Sequence, residues 1–174
     1  AAAAAGIAFT SCASQFGARS TGESLRRVRA SSHFADGHFQ NIEKTTVMRE
    51  GASMSGGIVR WIKGTDNGVP LGPLPAEKFR RDAFLKSGDG IGVVWFGHST
   101  VLLNIGGLIV LTDPVFSKNP SPVYLGNRAF DFTAQTDADE LPDIDAVIIS
   151  HDRYDHLDMP TIKKLDGRTK LFLV

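Results

Sequence analysis

Ser150-His151-Asp152-Arg153-Tyr154-Asp155-His156-Leu157-Asp158 follows without a break on Asp145-Ala146-Val147-Ile148-Ile149. The apolar run is rich in β-branched residues and almost free of polar alternation. It predicts a strand over 145–150 buried on both faces of a sheet. Loops leaving the ends of such strands gather outside the sheet, which is where ligand sites form in layered α/β folds. Here the loop offers two imidazoles and two carboxylates within residues 151–156. Imidazole and carboxylate are the ligands expected for zinc or iron in hydrolytic sites.

Beyond the loop, Asp158 predicts a helix cap for Met159 to Leu165, with Asp166-Gly167 ending that helix. Lys170 to Val174 then begins another apolar strand. Before the loop, Gly92 to Phe96 predicts a buried strand, Thr100 to Ile105 a second and Leu108 to Thr112 a third. Gly106-Gly107 supplies a tight hairpin turn between the last two, and Asp113-Pro114 stops the third strand. Residues 117–143 are loop-rich. A short helix is expected within Ala76–Lys86, with Phe79, Ala83 and Phe84 on one face. Gly68 to Pro75 carries loop chemistry, since its prolines and glycines exclude helix and central strand. Residues 13–57 lack a persistent apolar period and read as poorly structured, with Phe34 and Phe39 as short apolar anchors. Trp61 and Trp95 read as core aromatics.

The 174 residues are 42% hydrophobic and carry a formal net charge of +0. That balance gives no electrostatic case for nucleic acid or for an anionic membrane surface. With Cys12 the one cysteine, no internal disulfide forms. Ala1 to Thr10 is small and apolar, and Phe9-Thr10-Ser11-Cys12 ends it like the tail of a bacterial lipoprotein signal. Phe9 stands where such signals usually have leucine. On this reading Cys12 becomes a lipid-bearing N-terminus, and the protein is lipid-anchored or periplasmic in a bacterial cell envelope. The other reading is an ordinary signal-peptide tail or an Ala-rich leader with a free cysteine. The expected organisation is a signal tail over 1–12, an extended arm over 13–60 and a folded domain over 61–174.

Three segments together resemble the metallo-β-lactamase superfamily. Residues 150–158 look like its His-x-His-x-Asp-His loop, in the branch of N-acylphosphatidylethanolamine phospholipase D and ascorbate-6-phosphate lactonase. Trp95-Phe96-Gly97-His98-Ser99-Thr100-Val101-Leu102-Leu103 resembles the branch's opening strands. Leu111-Thr112-Asp113-Pro114-Val115-Phe116-Ser117 resembles its third strand, and Asp36-Gly37-His38-Phe39-Gln40-Asn41 resembles the arm of its bacterial members. The resemblance implies an α/β fold, a metallo-β-lactamase-type αββα sandwich, of which this sequence would be the N-terminal half. The two β-halves of that sandwich pack face to face, so one half alone would expose an apolar sheet face.

It also implies a divalent metal site of one or two ions, most simply zinc, with manganese or iron as alternatives. His151 would ligate the first ion, and Asp155 with His156 the second. Asp155 would also orient the attacking water as the catalytic residue. His98 would lie near the metal or against substrate, or else be a hydrogen-bonded turn histidine. Asp113 would orient a ligand histidine through its free ring N–H, or simply start a turn. Asp152 reads as a solvent-facing carboxylate, and His33 and His38 as arm residues without a catalytic role.

The pattern departs from the family at Arg153, where histidine is expected. Guanidinium stays protonated and offers no lone pair to a cation, so Arg153 is no ligand and lies beside the metal or against substrate. Three readings stay open: a site reduced to the Asp155/His156 ion, a metal-poor relative, or a variant at this one position. The family's remaining ligands come from the second half of the fold and do not occur in this sequence. The implied function is hydrolysis of a phosphodiester in a small-molecule or lipid substrate. The alternatives are a lactonase, or a non-catalytic lipoprotein that has lost a metal site.

Overall fold

The computed structural model describes residues 19–43, 51, 53–64, 68–86, 90–121 and 128–174. Cys12, the expected lipid-bearing residue, lies outside them. The chain divides into two compact units, Ala1–Gly68 and Val69–Val174.

The first unit contains helix α1 (Gly22–Ala30), strands β1 (Phe34–Ala35) and β2 (His38–Phe39), and helix α2 (Met54–Lys63). This corrects the expectation of a poorly structured segment over 13–57. Helix α1 has no fully buried residue, and only Leu25 and Val28, three apart, are partly buried, too few for a persistent apolar period. Its charges suit the helix dipole: Glu23 sits in the first turn, Arg27 and Arg29 in the last, and Arg26 pairs with Glu23 at 2.7 Å. Asp36 and Gly37 both have positive φ, 54° and 82°, which closes β1 and β2 as a tight hairpin. Phe34 and Phe39 face each other across it with ring centroids 5.3 Å apart.

The second unit is mixed α/β. Helix α3 (Arg81–Leu85) precedes strands β3 (Ile91–Gly97), β4 (Thr100–Ile105) and β5 (Leu108–Thr112). A 3-10 turn (Ala138–Glu140), β6 (Ala146–Ile148), helix α4 (Met159–Leu165) and β7 (Phe172–Leu173) follow. The five strands form one sheet in the order β3-β4-β5-β6-β7. The first three run antiparallel, and β5-β6 and β6-β7 pair in parallel. Gly106 and Gly107, at φ 57° and 90°, make the β4–β5 hairpin turn.

One face of the sheet carries the core. Leu102, Leu111 and Val147 pack with Leu141, Ile144 and Leu165, all fully buried, and with Phe84 of α3. Phe79, Phe96 and Phe116 flank this cluster. Buried Asn104 donates to Phe84 O at 3.2 Å and accepts from Gly107 N at 2.9 Å, joining α3 to the hairpin.

The opposite face is apolar and open. Ile91, Val93 and Trp95 alternate outward along β3, and Trp95 is 66% exposed. Ile105, Leu108, Ile148 and Leu173 are also exposed. Burial of the 92–96 run, burial of Trp95, and burial of both faces of the 145–150 strand are therefore corrected. The physical reason is the two-residue period of a strand, with a covering layer on one side of the sheet. The side chain of Trp61 lies outside the described ones.

Candidate metal centre

Three chain segments meet where the core strands end. The β3–β4 turn presents His98, the end of β5 presents Asp113, and the loop after β6 presents Ser150, His151, Arg153, Asp155 and His156. Two of these residues have unusual backbone: His98 at φ 46° and Asp113 at φ 39°. Side-chain bonds hold both in place. Trp95 Nε1 donates to His98 O at 2.9 Å, and Thr112 Oγ1 donates to Ser99 O at 3.0 Å. Thr100 Oγ1 donates to Asp113 O at 2.8 Å and accepts from Val115 N at 3.1 Å. Strain of this kind persists only where its surroundings over-determine it, and it gathers at functional sites.

Asp113 organises the interior of the site. Its Oδ1 accepts from Ser150 N at 2.7 Å, and its Oδ2 accepts from Ser150 Oγ at 2.8 Å. The same Oδ2 lies 2.9 Å from His156 Nδ1. Burial raises the Asp113 carboxyl, but the bonds from His156 and Ser150 outweigh it and hold it below the ordinary aspartate range. An ionised carboxylate only accepts, so a neutral His156 ring carries its proton on Nδ1 and keeps its Nε2 lone pair free.

That Nε2 faces His98 Nε2 at 3.3 Å. His98 Nε2 is in turn 3.2 Å from Asp155 Oδ2, which lies 3.9 Å from His156 Nε2. Among the described residues, His98, Asp155 and His156 form a group able to hold a metal ion, with ligand atoms all within 4.8 Å of one another. Two imidazole nitrogens and a carboxylate oxygen are a donor set that fits a divalent zinc-like ion. Arg153 donates to the same Asp155 Oδ2 at 2.8 Å from an exposed position. Burial raises the Asp155 carboxyl, and its own backbone N–H, Arg153, His156 and His98 together bring it below the ordinary range.

His151 stands beside this group rather than in it. Its Nδ1 lies 2.9 Å from Ser150 Oγ, and its ring stacks at 4.1 Å on His156. Asp152 is exposed. Sequence reasoning missed Ser150, which touches Asp113, His151 and His156 at once. Its place between the strand and the first histidine was the signal. Asp158 needs a correction. It occupies the N-cap position of α4 but makes no side-chain cap bond. Instead it is fully buried, and its Oδ2 accepts from Phe116 N at 3.2 Å, Ser117 N at 2.9 Å and the Thr161 hydroxyl. It fastens the stretch after Asp113 to the helix after the histidine loop.

Residues 109–174 match the family described as the Beta-lactamase superfamily domain. These residues carry the metallo-β-lactamase fold. The chain is 38% identical over 163 residues to an uncharacterised protein of Mycobacterium tuberculosis, covering 87% of itself and 41% of that relative. It is 33% identical over 101 residues to N-acyl-phosphatidylethanolamine-hydrolyzing phospholipase D 1 of Caenorhabditis elegans, covering 58% of itself and 28% of that protein. It is 35% identical over 83 residues to a metal-dependent hydrolase of Sulfurisphaera tokodaii, covering 45% of itself and 30% of that hydrolase. The chain thus spans less than half the length of the curated relatives it matches.

Proposed function

We propose that this protein is a metal-dependent hydrolase that turns an activated water on a phosphodiester. The observation that carries this reading is the convergence of His98, Asp155 and His156 at the strand ends, with Asp113 behind His156. When bound, a divalent ion supplies Lewis acidity and lowers the pKa of water towards neutrality. The residues themselves do the positioning. Asp113 and Ser150 fix the tautomer and plane of His156, and Asp155 orients the nucleophile and accepts its proton. Arg153, exposed at the rim, presents the donors of a guanidinium to an anionic substrate. The name of the C. elegans relative supports a lipid phosphodiester as the substrate class.

The test is a panel of phosphodiesters and lactones with added Zn²⁺ or Mn²⁺. Phosphodiester turnover is expected, and Asp155→Ala should lower it by about 100-fold or more. Full turnover in that variant removes the assignment, and turnover of lactones alone moves the substrate class.

A second reading rests on Arg153. Its guanidinium lies 2.8 Å from Asp155 Oδ2 and offsets the charge that would hold a cation. On this reading the wild type takes up no metal and Arg153→His regains it, whereas a hydrolase takes up metal in both forms.

For location we propose a lipid anchor on Cys12 at a bacterial cell envelope. Among the described residues no helix is long and apolar enough to cross a membrane. Mass spectrometry of the mature N-terminus tests the anchor, and an unmodified Cys12 removes it.

A further inference from the structure

We propose that His98 is itself a metal ligand, forming with Asp155 and His156 a site for one divalent cation that does without a histidine at position 153. The inference rests on the metal-dependent reading above and names a ligand that the His-rich loop does not contain. Tetrahedral zinc binds imidazole nitrogen and carboxylate oxygen at about 2.0–2.2 Å, so neighbouring ligand atoms sit about 3.3–3.5 Å apart. His98 Nε2 and His156 Nε2 are 3.3 Å apart, and His98 Nε2 and Asp155 Oδ2 are 3.2 Å apart. The third edge, His156 Nε2 to Asp155 Oδ2, is 3.9 Å, an opening of about half an ångström that rotation of one carboxylate closes.

Two further observations bear on His98. Its backbone is held at φ 46° after Gly97 at φ 111°, in a region a histidine adopts only at a cost. The Trp95 indole bond to its carbonyl keeps the turn there. The result aims its imidazole at two loop residues 57 and 58 positions further along the chain. Across that gap His156 already has Nδ1 occupied by Asp113, leaving the Nε2 lone pair directed at His98. A cation between the two rings and the carboxylate uses all three lone pairs together. Arg153 approaches the carboxylate from an exposed position, with its side chain 68% accessible. Three protein ligands leave a coordination position open, the arrangement of catalytic rather than structural zinc.

Titration of the intact protein with Co²⁺, read by its visible absorption and by calorimetry, tests this. His98→Gly is the informative variant, because glycine suits the positive φ and keeps the turn. Its melting temperature provides the check on folding. Co²⁺ affinity should fall by about 100-fold or more, at or beyond the upper end of what losing an outer partner costs. The absorption should weaken, and millimolar free imidazole should restore both signals. His151→Ala should keep Co²⁺ affinity within a few-fold of wild type. Unchanged affinity and spectrum in His98→Gly overturns the ligand assignment, and the hydrolase reading survives if the wild type still turns over ester. Absence of Co²⁺ and Zn²⁺ binding in the wild type overturns both. Co²⁺ behaviour as expected without hydrolysis of any ester keeps the ligand and removes the hydrolase.

Discussion

At the scale of single residues the site is a chain of acceptors and donors, each fixing the next. Asp113 receives two bonds from Ser150 and faces His156 Nδ1. Such outer partners typically contribute 10- to 100-fold in metal affinity. Asp113→Asn replaces an acceptor oxygen with an NH₂ group or weakens its charge, so Zn²⁺ affinity by competition titration should fall within about that range. Ser150→Ala removes one donor and should cost about 10-fold, with threonine restoring most of it. An unaltered affinity in both variants would show that His156 is held by other means. Asp155 and the histidine loop were legible in sequence because their residue types are rare together after an apolar run, whereas Asp113 carried two readings there, an orienting carboxylate or the start of a turn. The resemblance put His98 near the metal, but not against Asp155 and His156, because these partners lie in a loop that only the sheet brings near. Arg153 was legible as a non-ligand from its chemistry alone, but its pairing with Asp155 required the loop geometry.

At the scale of elements, charged side chains tie the layer under the sheet to the sheet itself. Asp158 joins α4 to the stretch after β5 by accepting two backbone N–H groups. Asp158→Ala leaves Ser117 N and the hydroxyl of buried Thr161 without this acceptor, at about 1–3 kcal/mol for each, while Phe116 N keeps Thr161 Oγ1 at 3.1 Å. A drop of about 2–5 kcal/mol in urea unfolding is expected, with loosening of residues 113–117 in amide exchange. Asp145 joins β5 to the stretch before β7: Ile109 N donates to it at 2.8 Å and Lys170 Nζ at 2.6 Å. The Lys170 ammonium and the Ile109 N–H hold its carboxyl below the ordinary range. A carboxyl depressed in the folded state stabilises above about pH 4 and loses that contribution as pH falls through its folded value. The stability gap between wild type and Asp145→Asn should therefore be full near neutrality and shrink below about pH 4. A gap that stays constant down to acid unfolding contradicts the pairing. Strands β4 and β5 were legible to the residue because the hairpin glycines bound them. Helix α1 was not, since only Leu25 and Val28 are partly buried along it, too few for a persistent apolar period.

At the scale of the whole molecule, the sheet's two faces have opposite fates. One is covered by α3, α4 and the 3-10 turn around Leu102, Leu111 and Leu165. Leu111→Ala on that side should destabilise by about 2–5 kcal/mol, since it empties a fully buried site. The other face leaves Ile91, Val93, Trp95, Ile105, Leu108, Ile148 and Leu173 accessible, all on strands of one sheet or at their hairpin. Strand alternation in the sequence shows that these residues share a side, but an apolar side looks the same whether or not something covers it. Contiguous apolar surface of this kind drives association in water. A polypeptide of these 174 residues should therefore elute as a concentration-dependent mixture and bind a hydrophobic dye in its folded state. Charges placed outward at Val93 and Ile148, as Val93→Lys with Ile148→Glu, should return it towards monomer. They lie on the far side of the sheet from Leu102 and Leu111, so the buried core keeps its packing. A wild-type chain that stays monomeric at high concentration, melts cooperatively and binds no dye would mean that this face is not free in solution.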